Sequence, residues 1–163
     1  NEGQLWYNTT SNTLKYDAVA AGAWSAGGGL NYGYQEGGGL GTPTAAIVAG
    51  GSPAGTAAET YNGTSWTSIT AMSDPKIYPG NIGTQTAAML AGSTNPPFTA
   101  STEVWNGASW TELTAMTTAR GMLASSIAGS PSAAIVSGGS NPPSTALTNV
   151  EELTPEKSLD ILH

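Results

Sequence analysis

Cysteine is absent from this chain, and histidine occurs once, as His163. Without cysteine the chain can form no disulfide, no thiolate nucleophile and no cysteine-based metal site. A serine nucleophile usually needs a histidine base within reach, and a side chain at the end of the sequence is poorly placed for that role. We therefore expect a protein that is not an enzyme and needs no cofactor.

Basic residues are also few. The chain has 11 acidic residues and a formal net charge of −7, and its only cations are Lys15, Lys76, Arg120 and Lys157. Binding to nucleic acid through phosphates needs several cations on one face. No apolar run approaches the roughly 20 residues that a membrane-spanning helix requires. We expect neither a nucleic-acid partner nor membrane insertion.

Large apolar side chains are scarce, and small residues take their place. Hydrophobic residues make up 39 % of the chain, but there is only one Phe, and charged residues make up only 9 %. The 22 glycines and 10 prolines favour many turns over long helices. This composition is typical of a chain of short strands and turns.

One motif recurs three times along the sequence. Residues 41–52 read GTPTAAIVAGGS, residues 83–94 read GTQTAAMLAGST and residues 129–140 read GSPSAAIVSGGS. The copies begin 42 and 46 residues apart. A fixed period of this size indicates a repeat architecture, in which each unit is one small group of secondary structures.

A second motif follows the first two copies at the same period. Residues 59–66 read ETYNGTSW and residues 103–110 read EVWNGASW. Each continues through a similar segment that ends in methionine, at Met72 and Met116. A degenerate copy is predicted near the start of the chain, at Leu14-Lys15-Tyr16 and Trp24, since Trp24, Trp66 and Trp110 are 42 and 44 residues apart.

The sequence predicts that each repeat unit forms about four short strands. The apolar run Ala45–Ala49 ends at Gly50-Gly51, and Asn62-Gly63 is a strong hairpin signal because both residues tolerate positive φ. Trp66 then begins the returning strand, and the methionine that follows is expected to fill the gap before the next unit. Such a sheet has two apolar faces, so that it must stack on its neighbours.

These features resemble the kelch repeat of β-propellers over roughly residues 12–155. The diglycines at Gly50-Gly51 and Gly138-Gly139 and the paired aromatics of the second motif carry the resemblance. The middle copy departs from the pattern with Gly92-Ser93, and the last copy departs further, with Val150–Leu153 and no Trp after it. The resemblance implies an all-β fold of kelch-like propeller blades made of short antiparallel strands, with about three blade equivalents per chain.

The opening residues predict a separate hairpin. Leu5-Trp6-Tyr7 and Leu14-Lys15-Tyr16 flank a polar turn, and this segment resembles a hairpin common in phage tail-fibre and virion structural proteins. The degenerate repeats resemble those of marine phage structural proteins. We therefore expect an attachment hairpin at residues 1–17, a repeat region at 18–155 and a C-terminal tail at 156–163.

The double resemblance implies a structural protein of a phage particle, located in the virion as a fibre, an appendage or a surface decoration. Three blade equivalents fall short of the roughly 4–8 blades of a closed propeller. The chain is then a fragment, or two copies form a six-bladed ring, or the repeats stack openly against other chains. We favour partners that are other copies of the chain and other virion proteins, with host-surface glycan as a further ligand.

The tryptophans are the best binding candidates. Sugars stack on exposed aromatic faces, and Trp66 and Trp110 occupy equivalent positions, so a secreted or cell-surface lectin-like propeller is the alternative function. The competing interpretation places both side chains in the core, since large apolar residues are scarce. Glu59 and Glu103 are also equivalent to each other, and we interpret each as a hydrogen-bond acceptor at a blade edge or in a turn rather than as a catalyst. A propeller enzyme related to galactose oxidases lacks the side chains for its copper site, and no metal site is expected.

Overall fold

The computed structural model describes residues 5–16, 22–143 and 145–155. Within these ranges all of the regular secondary structure is β-strand. The same residues include no helix long and apolar enough to cross a membrane. The predicted C-terminal tail at 156–163, including His163, lies outside the described residues. The hairpin predicted at the start of the chain is confirmed, because Leu5–Asn8 pairs antiparallel with Thr13–Tyr16.

Seventeen strands occur in the described residues. In chain order they are β1 (Leu5–Asn8), β2 (Thr13–Tyr16), β3 (Tyr34–Gln35), β4 (Gly38–Thr42), β5 (Ala45–Ala49), β6 (Ser52–Pro53), β7 (Ala58–Tyr61), β8 (Trp66–Ile69), β9 (Gly80–Thr84), β10 (Ala87–Ser93), β11 (Thr99–Trp105), β12 (Trp110–Leu113), β13 (Ala124–Ser125), β14 (Ala134–Ser137), β15 (Ser140–Asn141), β16 (Thr145–Ala146) and β17 (Val150–Leu153).

Most of these strands form three antiparallel sheets. The first sheet has the order β4-β5-β7-β8, the second β9-β10-β11-β12 and the third β13-β14-β17. Three two-stranded ribbons, β1-β2, β3-β6 and β15-β16, complete the described structure. The prediction of four short strands per repeat is confirmed for the first two sheets, whereas the third has three strands within the described residues.

The three sheets share one register. Val48 lies opposite Glu59 in the first sheet, Leu90 opposite Glu103 in the second and Val136 opposite Glu151 in the third. The last repeat therefore keeps the pairing of the others, although its sequence departs from them. Glu151 is the third member of the series that begins with Glu59 and Glu103.

The sheets stack face to face through apolar side chains. Between the first and second sheets the buried residues are Leu40, Ile47, Ala49, Ala58, Met72, Ala88, Leu90 and Trp105. Between the second and third sheets they are Ile82, Met89, Ala91 and Val136, with Met116 packed against them. The prediction that Met72 and Met116 fill the gaps between units is confirmed.

The hairpin turn at Asn62-Gly63 forms, but its geometry differs from the prediction. Only Gly63 has positive φ, at 94°, and the loop contains four residues. Asn62 Oδ1 accepts hydrogen bonds from the backbone N–H groups of Thr64 and Ser65, both at 2.9 Å. Asn106 repeats this arrangement in the second sheet. The asparagine thus serves as an acceptor within the turn rather than as a residue of unusual backbone conformation.

The predicted degenerate copy near the start of the chain is wrong. Trp24 lies outside any strand, and its side chain is fully exposed. Leu14-Lys15-Tyr16 pairs only with β1 in a two-stranded ribbon. Trp24 lies at the repeat spacing in the sequence. It belongs to no sheet, however, so it does not take the position that Trp66 and Trp110 have at the start of an outer strand.

Candidate functional site

The two candidate tryptophans begin equivalent outer strands. Trp66 pairs across the sheet with Tyr61, with ring centroids 5.0 Å apart, and Trp110 pairs with Trp105 at 5.5 Å. The backbone turn between the partners is the same in both sheets, which explains why the aromatic pairs are alike. Both side chains are half-buried.

The surroundings of the two tryptophans differ. Trp110 packs against the buried residues between the first and second sheets, including Leu40 and Ile47. The first sheet has no described sheet on its other side, so Trp66 lacks the corresponding packing. The structure therefore does not bring the two residues into one site. Each belongs to the face of a different sheet.

The buried carboxylates join consecutive repeats. Glu59 accepts hydrogen bonds from the backbone N–H groups of Asn31 and Tyr32, at 3.0–3.1 Å. Glu103 accepts them from Ser73 at 2.9 Å and Asp74 at 3.0 Å, in the segment that leads from the first sheet to the second. Both glutamates are hydrogen-bond acceptors, as predicted, but their predicted place at a blade edge or in a turn is wrong. Each is buried on an inner strand of its sheet, Glu59 on β7 and Glu103 on β11.

Glu151 continues this series in the third sheet. It accepts a hydrogen bond from the backbone N–H of Thr117 at 2.6 Å, in the segment that leads from the second sheet to the third. We call each of these carboxylates, with the N–H groups that it accepts, a carboxylate clasp. The three clasps hold an incoming segment against the sheet that follows it.

Two cations lie beside the clasps, and sequence reasoning did not find them. Lys76 Nζ is fully buried and lies 2.9 Å from Asp74 Oδ2, 2.7 Å from Ser101 Oγ and 3.7 Å from Glu103 Oε1. Arg120 is also fully buried, and it donates to Glu151. Their spacing of 44 residues matches that of Trp66 and Trp110, which was the available signal.

The charges of these groups shift two pKa values. Burial pushes the pKa of Asp74 upward, but hydrogen bonds from Ser101 and Lys76, with the charge of Lys76, outweigh it and lower the pKa. Burial acts on Glu151 in the same way, and hydrogen bonds from Thr117 and Arg120, with the charge of Arg120, lower its pKa. Both carboxylates are therefore stabilised in the ionised form.

Tyr34 occupies the position in the first repeat that Lys76 and Arg120 occupy in the others. Burial, followed by the negative charge of Glu59, raises the pKa of Tyr34. Its hydroxyl is buried and has no hydrogen-bond partner within the described part of the chain. The first clasp therefore has a neutral neighbour where the later two have a cation.

The cavities lie where sheets or loops meet. One of about 230 Å³ lies between the second and third sheets and is lined by Met89, Ala91, Met116, Val136 and Leu153. Another, of about 420 Å³, lies between the hairpin loops, beside Thr42, Thr84 and Gln85. Among the residues that the structure describes, no group of three or more acidic or histidine side chains is placed to hold a metal ion.

Comparison with known proteins identifies the fold but no family. No family model matches the chain, and no curated protein matches it. Solved structures do match, among them one described as "Structure of YjhT", with a TM-score of 0.60 at 13 % identity. The match covers 94 % of this chain and 49 % of that one, so that the chain spans about half the length of the matched protein. At this identity the likeness concerns the fold alone.

Proposed function

We propose that the three sheets are kelch-like β-propeller blades and that the chain is a non-enzymatic structural protein of a phage particle. It acts as a fibre, an appendage or a surface decoration, and it presents a rigid repeat platform that contacts the host surface. The antiparallel order of the sheets, their face-to-face stacking and the likeness to a solved structure support the proposed blades.

The carboxylate clasps carry the proposal of a structural role. Glu59, Glu103 and Glu151 all bind backbone N–H groups of an incoming segment, and Lys76 and Arg120 neutralise two of them. These ionisable groups are thus engaged in joining one repeat to the next. The proposed place in a virion rests on the resemblance of the opening hairpin and the repeats to phage proteins.

Immunogold labelling of purified phage particles tests this role. An antibody raised against the chain is expected to decorate intact particles at a regular position, and mass spectrometry of the same particles is expected to find the chain. Labelling confined to the secreted or cell-surface fraction of uninfected cells would contradict the proposal. Turnover of chromogenic glycosides or sugars by the purified protein would contradict the non-enzymatic role.

A lectin-like module is the second candidate, and Trp66 is the observation that favours it. Its ring is half-buried beside Tyr61, on a face of the first sheet that no described sheet covers. Glycan-array binding that is lost on Trp66→Ala, while the fold is retained, would support this candidate. Trp110 is a weaker sugar-stacking residue because neighbouring sheets enclose it.

A further inference from the structure

Backbone hydrogen bonds link each repeat to the next at equivalent positions. The first set of these bonds ends with an unpaired donor in the first repeat and an unpaired acceptor in the last. The N–H of Met72 donates to the carbonyl of Thr56, and that of Met116 donates to Ala100, both at 2.9 Å. One repeat earlier the corresponding donor is Leu30, and one repeat later the corresponding acceptor is Thr148. Neither makes a hydrogen bond of this kind within the described ranges.

A second series repeats the pattern near the inner strands. Tyr78 N–H donates to the carbonyl of Glu36 at 2.7 Å, and Met122 N–H donates to the carbonyl of Tyr78 at 2.9 Å. All three residues have positive φ, of 64°, 51° and 54° along the chain, so they are structurally equivalent. At the two ends of this series, the N–H of Glu36 and the carbonyl of Met122 make no hydrogen bond of this kind within the described residues.

The outward face of the third sheet exposes apolar side chains whose counterparts are buried. Ile135 is 41 % exposed, whereas its counterparts Ile47 and Met89 are 3 % and 2 % exposed. Val150 is 54 % exposed, whereas its counterpart Ala58 is 1 % exposed. We call the surface made by Met122, Ile135, Thr148 and Val150 the trailing face.

The outward face of the first sheet shows the complementary exposure. Leu30 is 41 % exposed, whereas its counterpart Met72 is 4 % exposed between the first and second sheets. Trp66 is half-buried, and its counterpart Trp110 packs between those two sheets. We call the surface made by Leu30, Glu36 and Trp66 the leading face.

We propose that the trailing face of one copy of this chain binds the leading face of a second copy. The second sheet follows the first in this way, with Met72 against Ala58 and Trp110 against Ile47. The equivalent contacts between copies are Leu30 against Val150 and Trp66 against Ile135. The N–H groups of Leu30 and Glu36 would then donate to the carbonyls of Thr148 and Met122.

The complementarity of the two faces identifies the occupant as another copy. The donors that remain on the leading face correspond one for one to the acceptors that remain on the trailing face. In the matched solved structure about half of the chain lies beyond the region that corresponds to this one, so the fold continues there past the sheets described here. A head-to-tail interface of this kind closes into a ring or continues as a longer series, depending on the rotation between copies.

Cross-linking of mixed single-cysteine variants tests the interface. The chain has no native cysteine, so that a short bismaleimide reacts only with introduced thiols. Leu30→Cys mixed with Val150→Cys is expected to yield a covalent dimer of twice the chain mass. Thr111→Cys, on the exposed outer strand of the second sheet, is the matched control with either partner. A mixed product no stronger than this control would overturn the proposal, as would cross-linking of each variant only to itself.

Charge substitution provides an independent measurement. Val150→Asp and Ile135→Asp are expected to weaken self-association at least about tenfold in analytical ultracentrifugation, because each would bury a carboxylate without a partner. Thr111→Asp is expected to leave the association unchanged. Both test positions are exposed in the single chain, and circular dichroism checks that each variant stays folded. A wild-type protein that remains monomeric would overturn the interface.

This interface deepens the proposed role as an assembling platform and rests on it. The two proposals nevertheless fail in different ways. Absence of the mixed cross-link from a chain that still labels phage particles would overturn the interface alone. A mixed cross-link in a chain that is absent from every particle preparation would overturn the virion role and leave the interface supported.

Discussion

Glu103 Oε1 lies 3.7 Å from Lys76 Nζ, and the two side chains are 2 % and 0 % exposed. The carboxylate also accepts the backbone N–H groups of Ser73 and Asp74. One side chain thus faces a buried cation and accepts two backbone donors in the segment between the first and second sheets. A buried charge is tolerated when it is paired and hydrogen-bonded in this way.

Glu103→Ala is expected to destabilise the fold strongly. The substitution leaves two backbone donors without acceptors and removes one of the charges beside Lys76, so that we expect a loss of about 3 kcal/mol in the free energy of unfolding. Glu112→Ala is the matched control, since Glu112 lies directly opposite Glu103 in the sheet but is exposed. We expect it to change stability by less than about 0.5 kcal/mol. Equal effects in urea denaturation would contradict the clasp.

Acid is expected to destabilise the protein through Glu151 and Asp74. Their pKa values are lowered in the folded state, so that their contribution is present above the unfolded pKa of about 4 and is lost as pH falls through the folded pKa. The melting temperature should change little between pH 7 and pH 5 and should fall below about pH 4.

Glu151→Gln tests the part of this pH dependence that comes from the third clasp. The variant keeps an oxygen acceptor for Thr117 but loses the charge that faces Arg120. Its melting temperature should be lower at pH 7 and should fall less steeply in acid than that of the wild type. Glu152→Gln, at the exposed neighbouring position, should retain the wild-type profile. Identical acid profiles for the two variants would contradict this role of Glu151.

Glycine at position 50 is required by a close approach as well as by its backbone conformation. Gly50 has φ of 74°, and a Cβ there would lie 2.5 Å from the carbonyl oxygen of Lys76. Gly55 has a similar φ of 64°, but a Cβ there would meet nothing nearer than 4.0 Å. Gly55→Ala therefore isolates the conformational cost, which we expect to be about 1 kcal/mol.

Gly50→Ala adds a steric clash to that conformational cost. We expect a total loss of about 3 kcal/mol or more in the free energy of unfolding, because the strand would have to move away from the segment that contains Lys76. Chemical denaturation of the two variants under the same conditions provides the comparison. A loss no larger than that of Gly55→Ala would contradict this, because it would show that the segment around Lys76 moves aside with no measurable loss of stability.

The sequence was sufficient to predict the periodic part of the fold. The recurring Ala-Ala-apolar run, the turn at Asn62 and the methionines at positions 72 and 116 mark strands, hairpins and gaps that local chemistry determines. The all-β class follows from them. These features depend on residues close together in the chain, or on the requirement that apolar faces be covered.

The clasps and their cations could not be predicted in the same way. Glu59 and Asn31 are 28 residues apart, and Glu103 and Ser73 are 30 apart, so that only the folding of the connecting segments against the sheets brings them together. The third member was harder to recognise, because Glu151 follows Glu103 by 48 residues whereas Glu103 follows Glu59 by 44. The prediction for Trp24 was wrong for the opposite reason. Its spacing fits the period, but its segment forms no strand.

Trp66→Ala and Trp110→Ala are expected to separate assembly from folding. Trp110 packs against buried residues of two sheets, so its truncation should lower the free energy of unfolding by about 3 kcal/mol. Trp66 contacts Tyr61 on a face without a described neighbouring sheet, so its truncation should cost the single chain only about 1 kcal/mol. Denaturation at low protein concentration measures both values.

Self-association should show the reverse order of sensitivity. If Trp66 packs against Ile135 of a second copy, Trp66→Ala should weaken association as measured by sedimentation, whereas a folded Trp110→Ala variant should retain it. A lectin role predicts instead that Trp66→Ala abolishes glycan binding and leaves the mass in solution unchanged. Because the same substitution is assayed in both experiments, the ring of Trp66 is assigned either to an interface between copies or to a sugar-stacking site.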